Sequence, residues 1–178
     1  MHKFMFLGLL LVAPVFGQDQ ATDMRTAAGC GPTKTQFSVK VDSTLHTVTQ
    51  AGPGKAMVYV AVEETPAPNQ FEIGDVTTRV GLDGKWVGAN HGRSYISFVV
   101  EPGDHRVCTD WQSMFKSAQK LSGAADFKAE AGKTYYFRAH VTVGGKEQAA
   151  KLSLMPVNEA EGLLLISKAG LSKWKAKK

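Results

Sequence analysis

Residues 76–111 decide the fold class: Val-Thr-Thr-Arg-Val-Gly-Leu-Asp-Gly-Lys-Trp-Val-Gly-Ala-Asn-His-Gly-Arg-Ser-Tyr-Ile-Ser-Phe-Val-Val-Glu-Pro-Gly-Asp-His-Arg-Val-Cys-Thr-Asp-Trp. Val76, Thr78, Val80 and Leu82 alternate with Thr77, Arg79 and Gly81, the period-two pattern of a strand. Asp83-Gly84 follows, a pair that tolerates the positive φ angles of a two-residue hairpin turn. Lys85 to Gly88 is then a short return strand, and Asn90-His91-Gly92 a second turn. Ser94 to Val100 is rich in β-branched and aromatic residues, and Pro102-Gly103 turns the chain into a further alternating run, Asp104 to Trp111. The pattern predicts successive antiparallel strands joined by tight turns.

The same grammar extends in both directions. Upstream, Gln36 to Val41 alternates, and Leu45 to Thr49 repeats the pattern less clearly. After Gly52-Pro53-Gly54, residues Ala56, Val58, Val60 and Val62 share one face while Met57, Tyr59 and Ala61 take the other, which predicts a strand covered on both sides. Glu63 to Gly74 contains Pro66, Pro68 and Asn69 and reads as an exposed loop. Downstream, residues 112–123 fit either a short helix, with Met114, Phe115, Ala118 and Leu121 on one side, or an irregular crossover between sheets. Ala125 to Ala129 and Thr134 to Val143 read as strands around a turn at Gly132. Ala149 to Val157 returns from Gly144-Gly145. Asn158-Glu-Ala-Glu161 has an N-cap and early acids, a helix start, although Gly162 weakens the helix that Leu163 to Ser167 continues. Many short strands with Gly, Pro and Asp turns predict one mainly β domain over residues 35–157, an antiparallel β-sandwich or open barrel. A short helix and a basic tail follow over 158–178.

The N-terminal 17 residues have the layout of a cleavable signal peptide: His2 and Lys3, an apolar run from Phe4 to Phe16, and Val15-Phe16-Gly17 before a cut at Gln18. The apolar run falls short of the ~20 residues that span a bilayer as a helix, and no later segment is long and apolar enough either. Ala27-Ala28-Gly29-Cys30 resembles a lipidation box. The polar stretch Gln18 to Thr26 between it and the apolar run would enter the membrane at a high desolvation cost. Cleavage leaves 161 residues, the size of one domain, with residues 18–34 as a polar leader.

The formal charge of +5 is unevenly placed: Lys3 leaves with the signal, and Lys168, Lys173, Lys175, Lys177 and Lys178 crowd into the last 11 residues, so the body carries about −1. No basic face with stacking aromatics is apparent, which argues against a nucleic-acid reader. The tail reads as a frayed, solvated terminus, able to make weak electrostatic contact with anionic surfaces. Cys30 and Cys108 both remain after cleavage, and an even pair in an oxidising compartment predicts a disulfide. Closing that loop stabilises the fold by roughly 4 kcal/mol on the chain-entropy account and ties the leader to the sheet.

Chemical signals are sparse. His46, His91, His105 and His140 carry no metal-ligand spacing, and His105 and His140 approach each other, with Asp104 or Asp110 beside them, only if their strands pair. Ser94 lacks a nucleophile elbow, and period-two alternation puts Cys108 on the face opposite His105. Gly52-Pro53-Gly54-Lys55 lacks phosphate-loop spacing, and Pro53 removes a backbone donor. No metal and no cofactor are expected. The one candidate binding patch is Trp86, Tyr95 and Trp111 beside Asn90 and Gln112, where rings can stack on a sugar while amides bond its hydroxyls. Against this, Tyr95 and Trp111 also suit core or rim packing, and Trp86 beside the Asp83-Gly84 turn is the best candidate for exposure.

The run Val80 to Tyr95, the turn Glu101-Pro-Gly-Asp-His105, Cys108-Thr-Asp-Trp-Gln-Ser113 and Ala129-Glu-Ala-Gly-Lys-Thr-Tyr-Tyr-Phe-Arg138 together resemble secreted members of the bacterial DUF2846 family, over about residues 55–167. The resemblance implies a small β-sandwich of transthyretin-like or carboxypeptidase-regulatory-like type and supplies no catalytic or ligand residues. The Pro-Gly-x-His turn is also similar to that of surface-exposed PEGA-type modules. The expectation is therefore an exported, non-enzymatic module with a structural or interaction role in the periplasm or cell envelope, its partner a protein or an envelope polymer. The alternatives are a protein that binds an envelope glycan or small ligand, and a hydrolase not evident from motifs. Mass spectrometry of the exported chain should find Gln18 as the first residue; an intact Met1 in that fraction would refute cleavage.

Overall fold

The computed structural model describes residues 30–65, 76–112, 121–142 and 150–177. The signal segment, most of the leader, the loop read over 63–74 beyond Thr65, residues 113–120 of the 112–123 crossover and the Gly144-Gly145 turn lie outside them.

Ten strands and one helix are described: β1 (Phe37–Asp42), β2 (Ala56–Thr65), β3 (Thr77–Leu82), β4 (Lys85–His91), β5 (Ser94–Val100), β6 (Gly103–Gln112), β7 (Ser122–Ala129), β8 (Thr134–Thr142), β9 (Lys151–Val157), α1 (Glu159–Ser167) and β10 (Gly170–Ala176). They form two sheets, one in the order β1-β10-β5-β2-β8-β9 and one in the order β4-β3-β6-β7. The fold is a mainly β sandwich with one short helix, the class the alternation predicts.

β2 is the centre of the six-stranded sheet. It pairs antiparallel with β5 and parallel with β8. Val58, Val60 and Val62 face the other sheet and meet Val80, Val107, Phe137 and Val141 in the main core. Met57, Tyr59 and Ala61 point the other way into a second cluster with Tyr95, Tyr136, Ile166 and Ala169. Both faces of β2 are therefore covered, as its unbroken apolar run requires.

The hairpin at Asp83-Gly84 forms as expected, with positive φ at both residues (49° and 78°). The second turn does not fall where the sequence suggests. β4 runs on through Asn90 to His91, and the bend comes at Gly92 (φ 58°) and Arg93. There the chain leaves one sheet for the other, because β4 belongs to the four-stranded sheet and β5 to the six-stranded one. Pro102-Gly103 makes the reverse crossing. Of the turns in residues 76–111, only Asp83-Gly84 joins neighbouring strands of one sheet, and the larger sheet is mixed rather than wholly antiparallel.

Two further segments differ from their sequence reading. Leu45 to Thr49 is not a strand but a strap held by side chains: the Thr49 N–H donates to the Tyr59 hydroxyl at 2.6 Å, and the Tyr95 hydroxyl donates to the Thr47 carbonyl at 3.2 Å. His46 Nδ1 lies 3.2 and 3.0 Å from the carbonyls of Ile166 and Ala169 at the end of α1. Burial of the Tyr95 ring raises its hydroxyl pKa, and burial likewise raises that of Tyr136. The basic tail is not frayed through Ala176. Gly170, Ser172, Trp174 and Ala176 alternate with Leu171, Lys173 and Lys175; Leu171 to Ala176 pair with β1, and Gly170 and Leu171 join the strand to β5. β1 pairs with nothing else in its sheet, so without β10 its ladder groups would have no partners.

Helix α1 starts as read: the Asn158 carboxamide oxygen accepts from the Glu161 N–H at 2.9 Å. Gly162 weakens its propensity for a packing reason. A Cβ there would collide with the ring of Tyr136, so the helix lies on the sheet only because this position is bare. Gly162→Ala, usually helix-stabilising by ~1 kcal/mol, should here destabilise by about 1–3 kcal/mol through overpacking. Thermal melting against Leu164→Ala, at a half-exposed position on the same helix, checks this; equal or raised stability would contradict the contact.

Candidate functional site

The five residues read as a binding patch do not form one exposed surface. Asn90 and Tyr95 are fully buried. Asn90 Nδ2 donates to the Val60 carbonyl across the sandwich at 3.2 Å, and its Oδ1 has no hydrogen-bond partner among the described residues. Tyr95 lies in the second cluster against Tyr59, with ring centroids 6.2 Å apart. Trp111 packs at the margin of the main core. Trp86 and Gln112 both touch Phe37, because both hold the N-terminal segment.

That segment, Cys30 to Phe37, lies along the outer face of the four-stranded sheet and is clasped there. Cys30 is disulfide-bonded to Cys108 on β6, with Cα atoms 5.5 Å apart. The pairing of the two cysteines is thus realised, and it suits an oxidising location. The Cys30 carbonyl comes so close to Gly81 that a Cβ there would overlap it. Trp86 Nε1 donates to the Pro32 carbonyl at 2.9 Å. Gln112 behaves like a short piece of strand: its Oε1 accepts from the Phe37 N–H at 2.6 Å and its Nε2 donates to the Phe37 carbonyl at 2.9 Å.

The centre of the clasp is Arg79, which sequence reasoning passed over. Its side chain is 5 % exposed and meets Asp110 as a fork, Nε to Oδ1 at 2.5 Å and Nη2 to Oδ2 at 2.6 Å. Nη1 donates to the carbonyls of Thr33 (3.1 Å) and Thr35 (2.5 Å), and the guanidinium carbon lies 4.6 Å from the Trp86 ring centroid. Strand alternation puts Arg79 on the face opposite Thr78 and Val80, which the sequence alone would leave to solvent. The signal available was its register: Asp110 lies directly opposite on β6. Burial raises the Asp110 pKa above the ordinary carboxylate value despite the hydrogen bonds from Arg79 that pull it down.

The histidines are each tied into the framework. His140 Nε2 lies 2.9 Å from Thr65 Oγ1, and His91 Nδ1 3.0 Å from Thr77 Oγ1. His105 sits on β6 and His140 on β8, in different sheets, so their strands do not pair. His105 does have a carboxylate neighbour. Its Nδ1 lies 2.7 Å from Asp83 Oδ2 and its Nε2 2.8 Å from the Glu101 carbonyl oxygen, so both ring nitrogens face acceptors. Asp83 also accepts from the Arg106 N–H at 2.8 Å. His105 thereby pins the β3–β4 hairpin to the β5–β6 crossing, beside a shallow open depression of about 410 Å³ lined by Asp104, His105, Asp126 and Phe127. Its lining residues include no Ser, Thr or Cys. Ser94 is fully buried, its Oγ accepting from the Ser172 hydroxyl at 2.7 Å and from the His91 N–H at 3.0 Å. Among the described residues no three His, Cys, Asp or Glu side chains converge as metal ligands, and no helix is long and apolar enough to cross a membrane.

Comparison with known protein families, with curated proteins and with solved structures finds no match to this chain.

Arg79→Met should cost about 3–5 kcal/mol, because it strands the buried Asp110 carboxylate. The double variant Arg79→Met/Asp110→Leu should recover part of that loss. Urea denaturation of the oxidised protein measures both, and a single variant within about 0.5 kcal/mol of the parent would contradict the role given to Arg79.

Proposed function

We propose that this chain is an exported, non-catalytic β-sandwich module that acts in the periplasm or cell envelope by binding rather than by turnover, in keeping with its resemblance to the DUF2846 family. The observation that carries the reading is the clasp over residues 30–37. A disulfide, two hydrogen bonds from the buried Arg79 guanidinium and side-chain bonds from Trp86 and Gln112 all hold one short segment to a sheet. Such stapling suits a domain that must persist outside the cytoplasm, where oxidising conditions favour the disulfide. The groups with chemical potential favour the same reading: His105, Ser94 and Cys108 are each committed to structural bonds. A glycan patch built on Asn90 and Tyr95 would need both at the surface, and both lie in the interior. The partner is a protein or envelope polymer, and the tail lysines offer contact with anionic material.

The oxidised mature domain should bind isolated cell envelopes saturably while leaving ester, peptide and glycoside substrates intact. Failure to bind, or hydrolysis that disappears in His105→Gln, would overturn this reading.

A further inference from the structure

Two arginines of this chain present the Nε–Nη2 edge of the guanidinium to a carboxylate: Arg79 forks onto Asp110 and Arg106 onto Asp126. On Arg138 of β8 the same edge meets no oxygen. Its Nη2 donates instead to the thioether sulfur of Met155 at 3.2 Å, and its Nε is buried with no hydrogen-bond partner among the described residues. Nη1 is engaged by acids, 3.0 Å from Glu161 Oε1 on α1 and 3.9 Å from Glu63 Oε2 on β2.

Met155 owes its place to register. It lies directly opposite Arg138 in the β8–β9 ladder, on the same face as Tyr136, against which Gly162 of α1 packs. β9 is an edge strand, and Met155 is 37 % exposed there, whereas Met57 in the centre of the sheet is 6 % exposed. A thioether is only a weak acceptor, so the Arg138 edge is poorly matched as it stands. A sulfoxide is polar, and a hydrogen bond from a charged donor to an oxygen is about twice as strong as a neutral one.

We propose that Met155 is an oxidation site for hydroperoxides and that the Nε–Nη2 edge of Arg138 receives its sulfoxide oxygen. The sulfur lone pair attacks the terminal oxygen of the peroxide, and the O–O bond breaks. Sulfur is oxidised to the sulfoxide, hydrogen peroxide is reduced to water (an organic hydroperoxide to its alcohol), and the proton of the transferred hydroxyl passes to the departing oxygen. The three rotatable bonds of the methionine side chain let the new oxygen swing onto the edge without moving either strand. Oxidised Met155 then gives Arg138 the kind of acceptor that Asp110 and Asp126 give Arg79 and Arg106. Because the same guanidinium holds Glu161, the reaction tightens α1 on the sheet, the reverse of the disruption a sulfoxide causes in an apolar core. This chemistry needs no binding partner and is independent of the binding-module reading above.

The test treats the mature, disulfide-bonded chain with hydrogen peroxide, following each methionine by peptide mass spectrometry and the α1 amides by hydrogen exchange. Met155 should gain one oxygen about tenfold faster than Met57, in line with its exposure. The α1 amides should then exchange about fivefold more slowly. Met155→Leu, which leaves Met24 and Met114 in place, should show no such slowing after the same treatment. Arg138→Lys keeps a cation for Glu161 but loses the fork, so Met155 should still take up oxygen while α1 exchange does not slow. If that variant does not fold, the parent decides, because the Arg138 Nε–H proton resonance should move downfield on oxidation. A resonance that stays in place, α1 exchange unchanged or faster in the oxidised parent, slowing that persists in Met155→Leu, or a Met155 no more reactive than Met57 would each overturn the proposal.

Discussion

A guanidinium taken out of water must have its donors satisfied, and the placement of Arg79 organises one whole side of this molecule. Its fork to Asp110 ties β3 to β6, its Nη1 collects two carbonyls of the N-terminal segment, and its flat face lies against Trp86. Remove the segment and the arginine would open to solvent; remove the arginine and the segment's carbonyls would lose their donors. The pair is better understood as a source of specificity than of raw stability. Because burial raises the Asp110 pKa, ionising this carboxylate is harder in the folded chain than in the unfolded one. Its contribution therefore diminishes as pH rises from the ordinary carboxylate range through the raised folded value. What the pair secures is the position of residues 30–37, the geometry in which Cys30 reaches Cys108.

The opposite face of the sandwich is built by different means. There the cover is helix α1 and the strap over residues 45–50, held to the six-stranded sheet by a stack of tyrosines. Tyr59 and Tyr136 lie nearly parallel with centroids 5.5 Å apart, while the Tyr59 and Tyr95 hydroxyls reach out to the strap backbone. Each ring supplies apolar area to the sheet and a polar tip to a segment with no ladder of its own. The protein is thus layered, with the clasped segment, two sheets, and the helix with its strap. The terminal strands β1 and β10 close the larger sheet at one edge.

The candidate patch illustrates what a linear reading misjudges. Asn90 looked like a turn residue because Asn-His-Gly is turn-forming chemistry, yet Gly92 takes the positive φ and Asn90 stays inside the strand. Gln112 and Trp86 did prove to be hydrogen-bonding residues, but toward this chain's own backbone. Amide and indole groups recognise a peptide carbonyl as readily as a sugar hydroxyl, so residue type could not distinguish an internal partner from an external one. The lysine tail was misjudged for the complementary reason. Charge density signals solvation, and it masked the alternation of Ser172, Trp174 and Ala176 that makes the segment a strand once β1 is beside it.

What the sequence determined by itself is local. The β class, the Asp83-Gly84 hairpin, the double-faced burial of β2 and the Asn158 cap rest on period-two alternation, positive φ and end-capping, which act within a few residues. The cysteine pairing was legible too, because two cysteines allow one intramolecular bridge. Only the tertiary structure decided which sheet each strand joins, that β2 and β8 run parallel, that β10 completes the larger sheet, and that Arg79 is buried while Lys173 is not. Those outcomes depend on which strands meet across long sequence separations. Alternation shows that a strand has two faces; it does not say what will cover either one.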